Sequence, residues 1–174
     1  NVVVTNSALY MDGGGIYEFG VLCSAMHNAW LRLIGGRLKS DFRYSKDIVY
    51  NNFPWPDPPE NFKPNQPPTP AHKAQAAIES EAQTVLDARA RYQQGDKPAS
   101  LADLYDPLTM PPALLKAHQR LDAAVDAAYA LVGGRKTWKN DAERVAFLFE
   151  RYQQLTSLLP PPRPARKRAA RPAA

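Results

Sequence analysis

Eight of the residues between positions 54 and 70 are proline, and this run divides the chain. Proline has no backbone N–H and fixes φ at about −65°, so a segment this rich in it forms neither helix nor central strand. It reads as an extended, semi-rigid connector over 57–70. Folding is therefore expected in one block before it, 1–56, and another after it, 71–159. The last stretch, 160–174, is built largely from Pro, Ala, Arg and Lys. It cannot bury apolar area and is expected to be disordered.

The first block opens at Asn1 on what reads as a strand already under way, with Val2 to Val4 in it. The chain is therefore expected to be a piece of a longer protein. Asp12-Gly-Gly-Gly15 is a turn signal. Apolar residues then recur at helical spacing from Ile16 to Ile34, through Phe19, Leu22, Cys23, Met26, Trp30 and Leu33. Gly35-Gly36 should end that helix. Asp47-Ile-Val-Tyr-Asn51 reads as a short strand, and Phe53-Pro-Trp-Pro56 breaks regular structure.

The second block reads as three amphipathic helices on one shared core. Thr69-Pro70 supplies an N-cap and a first-turn proline for a helix over about 71–94, with Ile78, Ala82, Val85 and Tyr92 on one face. Thr109 with Pro111-Pro112 starts another, which aligns Leu114, His118, Leu121, Val125 and Ala128 and stops at Gly133-Gly134. Asn140 with Glu143 resembles a capping box. The helix behind it places Val145, Leu148, Phe149, Tyr152, Leu155 and Leu159 on one stripe. The fold class is thus α+β, mostly α.

The net charge is +5, and Arg163, Arg166, Lys167, Arg168 and Arg171 account for all of it, leaving the body formally neutral. Basicity alone does not make the folded part a nucleic-acid binder. No apolar run approaches the roughly 20 residues that span a bilayer, so no membrane partner is expected. The single cysteine, Cys23, excludes an internal disulfide, fits a reducing cytoplasm and reads as a buried small hydrophobe.

Catalytic patterns are not found. His27, His72 and His118 are far apart and lack metal-ligand spacing. His27 and His118 read as structural histidines on helix faces, and His72 as an exposed first-turn residue. Gly13-Gly14-Gly15 lacks the unit that a phosphate-binding loop needs. Asp57-Pro-Pro-Glu60 imitates the Asp/Asn-Pro-Pro-aromatic motif of amino-methyltransferases, but its last position must stack on a flipped base, and Glu60 cannot.

The stretch from 32 to 46 carries more information. It holds Arg32, Arg37, Lys39, Arg43 and Lys46 against one acid, Asp41, with Ser40, Phe42, Tyr44 and Ser45 interleaved. If Lys39 to Arg43 is extended, then Lys39, Asp41 and Arg43 share one face. Lysine donates to guanine O6 and N7 in the major groove, and a carboxylate accepts from cytosine N4. A Lys-x-Asp pair can thus read both halves of one G·C pair. Arg37 and Lys46 would sit outside and hold phosphates. The competing reading is a solvated, charged loop with a Lys–Asp surface contact. An acid in the patch adds nothing to sequence-blind phosphate binding, whereas base readout uses it.

Phe19-Gly-Val-Leu-Cys-Ser-Ala-Met-His-Asn-Ala-Trp30, Gly36-Arg-Leu-Lys-Ser-Asp-Phe-Arg-Tyr-Ser45 and Val49-Tyr-Asn-Asn-Phe-Pro-Trp-Pro56 stand in that order. Leu101-Ala-Asp-Leu-Tyr-Asp-Pro-Leu-Thr-Met-Pro-Pro112 and Ala142-Glu-Arg-Val145 follow them. Together they resemble the distal part of MmeI-like enzymes, the type IIL restriction-modification proteins and their methyltransferase-only relatives. The resemblance covers about 16–158. It implies the end of a target recognition domain over 1–56, then a C-terminal helical bundle. It also implies double-stranded DNA as a partner, and upstream in the parent chain an adenine-N6 methyltransferase domain that uses S-adenosylmethionine. This fragment would hold no cofactor and no catalytic residue. In the family, two variable positions in the Gly-Arg-Leu-x-Ser-x stretch read one edge base pair. Here they are Lys39 and Asp41, a pairing that goes with G. Arg43 resembles a third base-contacting position, and Arg37, Ser40, Tyr44, Ser45 and Lys46 fall where backbone contacts are expected. His27, Trp30, Phe53 and Trp55 match the family as packing residues behind the reading loop.

The function expected is sequence-specific DNA recognition within a site-specific adenine methyltransferase. Its rival is a helical interaction or assembly module with no DNA readout. For the tail, salt-sensitive phosphate binding and a plain solvated end both stay open.

Overall fold

The computed structural model describes residues 11–39, 41–56, 67–95 and 97–157. The expected strand at Val2–Val4, most of the proline connector with Asp57 and Glu60, Ser40 and the basic tail lie outside these residues. The elements are helices α1 (Ile16–Cys23) and α2 (Ala25–Ile34), strands β1 (Gly36–Leu38) and β2 (Asp41–Arg43), and helices α3 (Pro70–Tyr92), α4 (Leu101–Leu104), α5 (Pro112–Ala130) and α6 (Asp141–Thr156). The fold is mostly helical, with one two-stranded antiparallel sheet.

The helical run expected from Ile16 to Ile34 is two helices. Ser24 is extended (φ −74°, ψ 160°), and it ends α1 and begins α2. Its hydroxyl donates to the Val21 carbonyl at 2.7 Å and accepts from the His27 N–H at 3.4 Å. Serine competes with the helix for its own backbone groups, which suits it to a break. The apolar spacing stays nearly in phase across one capped residue, so periodicity alone missed the interruption. The Ala25 N–H, unpaired within its own helix, donates to Asp122 Oδ1 of α5 at 2.7 Å.

Pairing of α3 with α5 forms the centre, and α1 lies on α3 while α2 rests against α6. Ile78, Ala82 and Val85 of α3 and Leu114, Leu121 and Val125 of α5 are fully buried. Gly20 lets α1 approach this pair. A Cβ there would stand 2.7 Å from Ile78 Cγ2 and 3.1 Å from Ala82 Cβ. The residues on either side of the proline-rich segment therefore share one hydrophobic core.

Caps fall where their residue types predict. Thr69 Oγ1 accepts from the His72 N–H, and Asn140 Oδ1 from the Glu143 N–H. His72 is half-buried, and its Nδ1 accepts from the Thr69 N–H at 3.3 Å, so it is a capping residue rather than a merely exposed one. Four face assignments shift. Tyr92, Phe149 and Leu155 are exposed, and Ala117, not His118, is the fully buried neighbour of Leu114. Arg151 is buried in their place on α6, where its Nε donates to the Trp55 carbonyl at 3.1 Å. The Tyr129 hydroxyl donates to the Pro54 carbonyl at 3.0 Å. These two bonds anchor Phe53-Pro-Trp-Pro56 to the helices.

The strand expected at Asp47–Asn51 is a π-helical turn, Lys46–Tyr50. Ile48 and Val49 carry a strand preference, but local bonds override it. Ser45 Oγ accepts from the Ile48 N–H, and Asn52 Nδ2 donates to the Asp47 and Ile48 carbonyls at 2.7 and 3.1 Å. Val49 is fully buried, and its carbonyl accepts from Trp30 Nε1 at 3.1 Å.

Candidate nucleic-acid interface

The basic stretch folds as a hairpin that projects from the C-terminal end of α2. Gly35 makes the exit possible, since a Cβ there would lie 2.5 Å from the Leu31 carbonyl oxygen. The register pairs Gly36 with Arg43, Arg37 with Phe42 and Leu38 with Asp41. Side chains alternate along a strand, so Asp41 and Arg43 share one face and Arg37 and Phe42 the other. On that second face the Arg37 guanidinium stacks 4.3 Å from the Phe42 ring centroid.

Lys39 is not extended, which corrects the expectation of one continuous reading face through Lys39, Asp41 and Arg43. It occupies the turn between the strands with φ +58°. A non-glycine residue held in the left-handed region costs roughly 1 kcal/mol. The two-residue connection requires that conformation, whatever side chain it carries. Lys39 thus stands at the tip, and Asp41 begins the returning strand. Both are exposed, as is Arg43, and among the described residues none of the three forms a salt bridge. The Lys39–Asp41 surface contact of the competing reading is therefore not formed.

The expected backbone-contacting residues divide into two groups. Arg37 and Lys46 are exposed, Lys46 Nζ lying 4.0 Å from Asp47 Oδ1. Tyr44 and Ser45 have work inside the protein: Ser45 caps the π-helical turn, and the Tyr44 hydroxyl lies 3.0 Å from His27 Nε2. Ser40 lies outside the described residues.

The contact with His27 ties the hairpin to its support, and sequence patterns gave no sign of it. His27 is 2% exposed on α2, with its ring edge-on to Phe53 at 4.5 Å. Its buried Nδ1 has no hydrogen-bond partner among the described residues. An orphaned N–H costs more than an orphaned lone pair, so the favoured tautomer carries its proton on Nε2 and donates to Tyr44. Burial drives the His27 pKa from 6.5 down to about 4 and pushes Tyr44 up to about 12. Both groups are neutral through the physiological range. Beneath them Trp30 packs against Phe53, Phe149 and Tyr152, with ring centroids 6.3, 5.2 and 6.3 Å away.

A folded-state pKa below the ordinary value means that the unfolded chain takes up the proton first. The stability tied to neutral His27 is complete above pH 6.5 and is lost as the pH falls toward 4. Replacing His27 with Gln, which keeps a donor for Tyr44, should cost stability at pH 7.5. That deficit should shrink by roughly 2–3 kcal/mol at pH 4.5. Urea titrations at the two pH values measure it, and a deficit independent of pH would show that His27 is not buried neutral.

Residues 1–57 match the family model described as the MmeI target recognition domain, and residues 70–160 match that of the MmeI C-terminal domain. The chain belongs to the MmeI family. This MmeI-family chain is 35% identical over 156 residues to DNA methyltransferase A of Bacillus subtilis (strain 168), an alignment covering 90% of this chain and 15% of that protein. It is similar to the solved structure of the type IIL restriction-modification enzyme MmeI in complex with DNA, at 46% identity and a TM-score of 0.68. That likeness covers 84% of this chain and 17% of the other. The chain thus spans about a sixth of the length of either MmeI relative. Within the family frame, the hairpin falls in the recognition-domain match and the α3–α6 helices in the C-terminal one. Among the described residues no helix is long and apolar enough to cross a membrane. Nor do three His, Cys, Asp or Glu side chains there come together in a way that could hold a metal ion.

Proposed function

We propose that the β1–β2 hairpin reads one edge base pair of a double-stranded DNA site, within a parent chain that methylates adenine N6. Lys39 and Asp41 are the primary readers, Arg43 extends the reading face, and Arg37 and Lys46 hold flanking phosphates. Tyr44 and Ser45 serve by fixing the base of the hairpin. Methyl transfer belongs to an upstream methyltransferase domain of the same parent, with S-adenosylmethionine as its cofactor and the cytoplasm as its setting. The relative solved with DNA and the one called a DNA methyltransferase support this reading. Residues 1–56 then close the recognition domain, 57–70 connect, and 71–159 form the C-terminal bundle.

The observation that carries the reading is Lys39 itself. A lysine is kept at φ +58° on the tip of an exposed hairpin, beside an exposed aspartate, and neither has an ion pair among the described residues. The turn sets that φ, and the residue it presents at the tip is a lysine rather than the glycine or asparagine such turns favour. A two-stranded β-ribbon fits the major groove of B-DNA. There the Lys39 ammonium would donate to guanine O6 and N7, and the Asp41 carboxylate would accept from N4 of the paired cytosine.

The test exchanges the pair. The full-length parent is expressed as wild type and as Lys39→Glu with Asp41→Arg, and N6-methyladenine is mapped across the host genome. One edge base of the methylated motif should change from G to C, because glutamate accepts from cytosine and arginine donates to guanine on the other strand. Single Lys39→Ala should weaken binding by about 1–3 kcal/mol, and mainly at sites with the right edge base. An unchanged motif, or an equal loss on every sequence, would remove the readout role and favour the interaction-module reading.

A further inference from the structure

A cleft of about 440 Å³ opens between the α1–α2 junction, the end of α3 and the face of α5, away from the hairpin readers. Leu22, Cys23 and Met110 supply apolar wall, and Arg89, Tyr105, His118 and Asp122 supply polar groups. Arg89 organises it. Its Nε donates to the Tyr105 hydroxyl at 2.6 Å, and that hydroxyl lies 2.7 Å from His118 Nε2. Its guanidinium carbon lies 5.3 Å from the Phe19 ring centroid and 5.0 Å from that of Tyr105. Burial raises the Cys23 thiol's pKa, and the Arg89 guanidinium draws it back down.

Arg89 is half-buried, yet among the described residues it has no carboxylate partner. Its charged neighbours are otherwise engaged. Arg32 on the rim pairs with Asp141, and Asp122 Oδ1 accepts the Ala25 N–H. A partly desolvated guanidinium held rigid by a hydroxyl and two rings is a pre-organised fork that keeps donors to spare. Such a fork pairs best with a planar or tetrahedral oxyanion. Burial and then Arg89 lower the His118 pKa, and Asp122 on the same wall raises it.

We propose that this cleft binds a phosphate-class oxyanion on the Arg89 guanidinium, with Tyr105 and His118 orienting the fork. The site uses none of Lys39, Asp41 or Arg43, so it stands whether or not the hairpin reads bases. The phosphate can come from the backbone of bound DNA or from a free mononucleotide, and the cleft is large enough for either group.

The test uses the 174-residue chain, isotopically labelled, and follows the Arg89 side-chain N–H and His118 ring resonances at constant ionic strength. Inorganic phosphate should move them saturably while chloride does not. Arg89→Gln should abolish the effect. Tyr105→Phe, which keeps the ring and removes the hydroxyl, should weaken phosphate binding about tenfold with the helical circular dichroism unchanged. Two further probes separate the sources, a short duplex of unrelated sequence and deoxyadenosine monophosphate. Shifts with the duplex assign the phosphate to the DNA backbone, and shifts with the nucleotide alone assign it to a free ligand. The proposal is overturned if no probe moves these resonances beyond chloride, or if folded Arg89→Gln binds phosphate like wild type. If Arg89→Gln does not fold, Tyr105→Phe decides, and an unchanged affinity there overturns the site.

Discussion

Trp30→Ala is expected to destabilise this chain by about 3–5 kcal/mol, a large share of the roughly 5–15 kcal/mol that holds a domain folded. Trp30 is 1% exposed and joins α2 to everything that supports the hairpin. Truncation removes its contacts with Phe53, Phe149 and Tyr152 and leaves a cavity among them. It also strips the Val49 carbonyl of a side-chain donor, the indole N–H at 3.1 Å. Trp30→Phe separates the two effects. It retains most of the apolar area and loses the donor, so it should cost about 1–3 kcal/mol. Urea unfolding of the three proteins measures both. Hydrogen exchange should show faster opening of the Lys46–Tyr50 turn in either variant, because Val49 is what the indole holds. A loss below about 1 kcal/mol for Trp30→Ala would mean that the hairpin does not depend on this aromatic support.

Arg144→Met should be comparably costly, by about 3–5 kcal/mol, for an electrostatic reason. Arg144 Nη2 donates to Asp126 Oδ2 at 2.9 Å, with the two side chains 12% and 8% exposed. Burial raises the Asp126 pKa, Arg144 draws it back, and Asp122 one turn away raises it again. Removing the arginine leaves two carboxyls on α5 with their main counter-charge gone. A carboxyl whose folded pKa is raised opposes folding at pH values above its unfolded one, and protonation relieves it. The deficit of Arg144→Met should therefore be largest near neutrality and shrink as the pH falls toward the ordinary carboxylate range. Asp126 Oδ1 and Arg144 Nε have no hydrogen-bond partner among the described residues, so the pair is an expensive arrangement. Asp126→Leu combined with Arg144→Met should then recover most of the loss. If the double variant is as unstable as the single one, packing rather than charge explains the effect.

The helices with strong local signals were legible in the chain itself. Thr69-Pro70, Pro111-Pro112 and Asn140 with Glu143 mark starts because backbone N–H groups at a helix end need a cap or a proline, whatever surrounds them. Gly133, at φ +94°, closes α5 because few other residues adopt that conformation at low cost. The basic hairpin was legible as a chemical patch, through Lys39, Asp41, Arg43 and the interleaved aromatics. Its geometry was not, because the turn conformation at Lys39 follows from how two strands pair.

What the sequence determined by itself was local: helix ends, apolar faces and the order of the motifs that resemble the MmeI family. Tertiary structure decided where local preference was weak or outvoted. Ile48 and Val49 favour a strand but coil into a π-helical turn, because Trp30 captures the Val49 carbonyl and Ser45 and Asn52 close the local bonds. Ser24 breaks a periodic run with a cap that periodicity cannot register. His27 meets Tyr44, and Arg89 meets Tyr105 and His118, across separations that no spacing rule covers. Such contacts form only after the core has brought α1 and α2 onto α3, α5 and α6. Burial then sets the charge states and hydrogen bonds of side chains whose own sequence neighbourhoods say nothing about them.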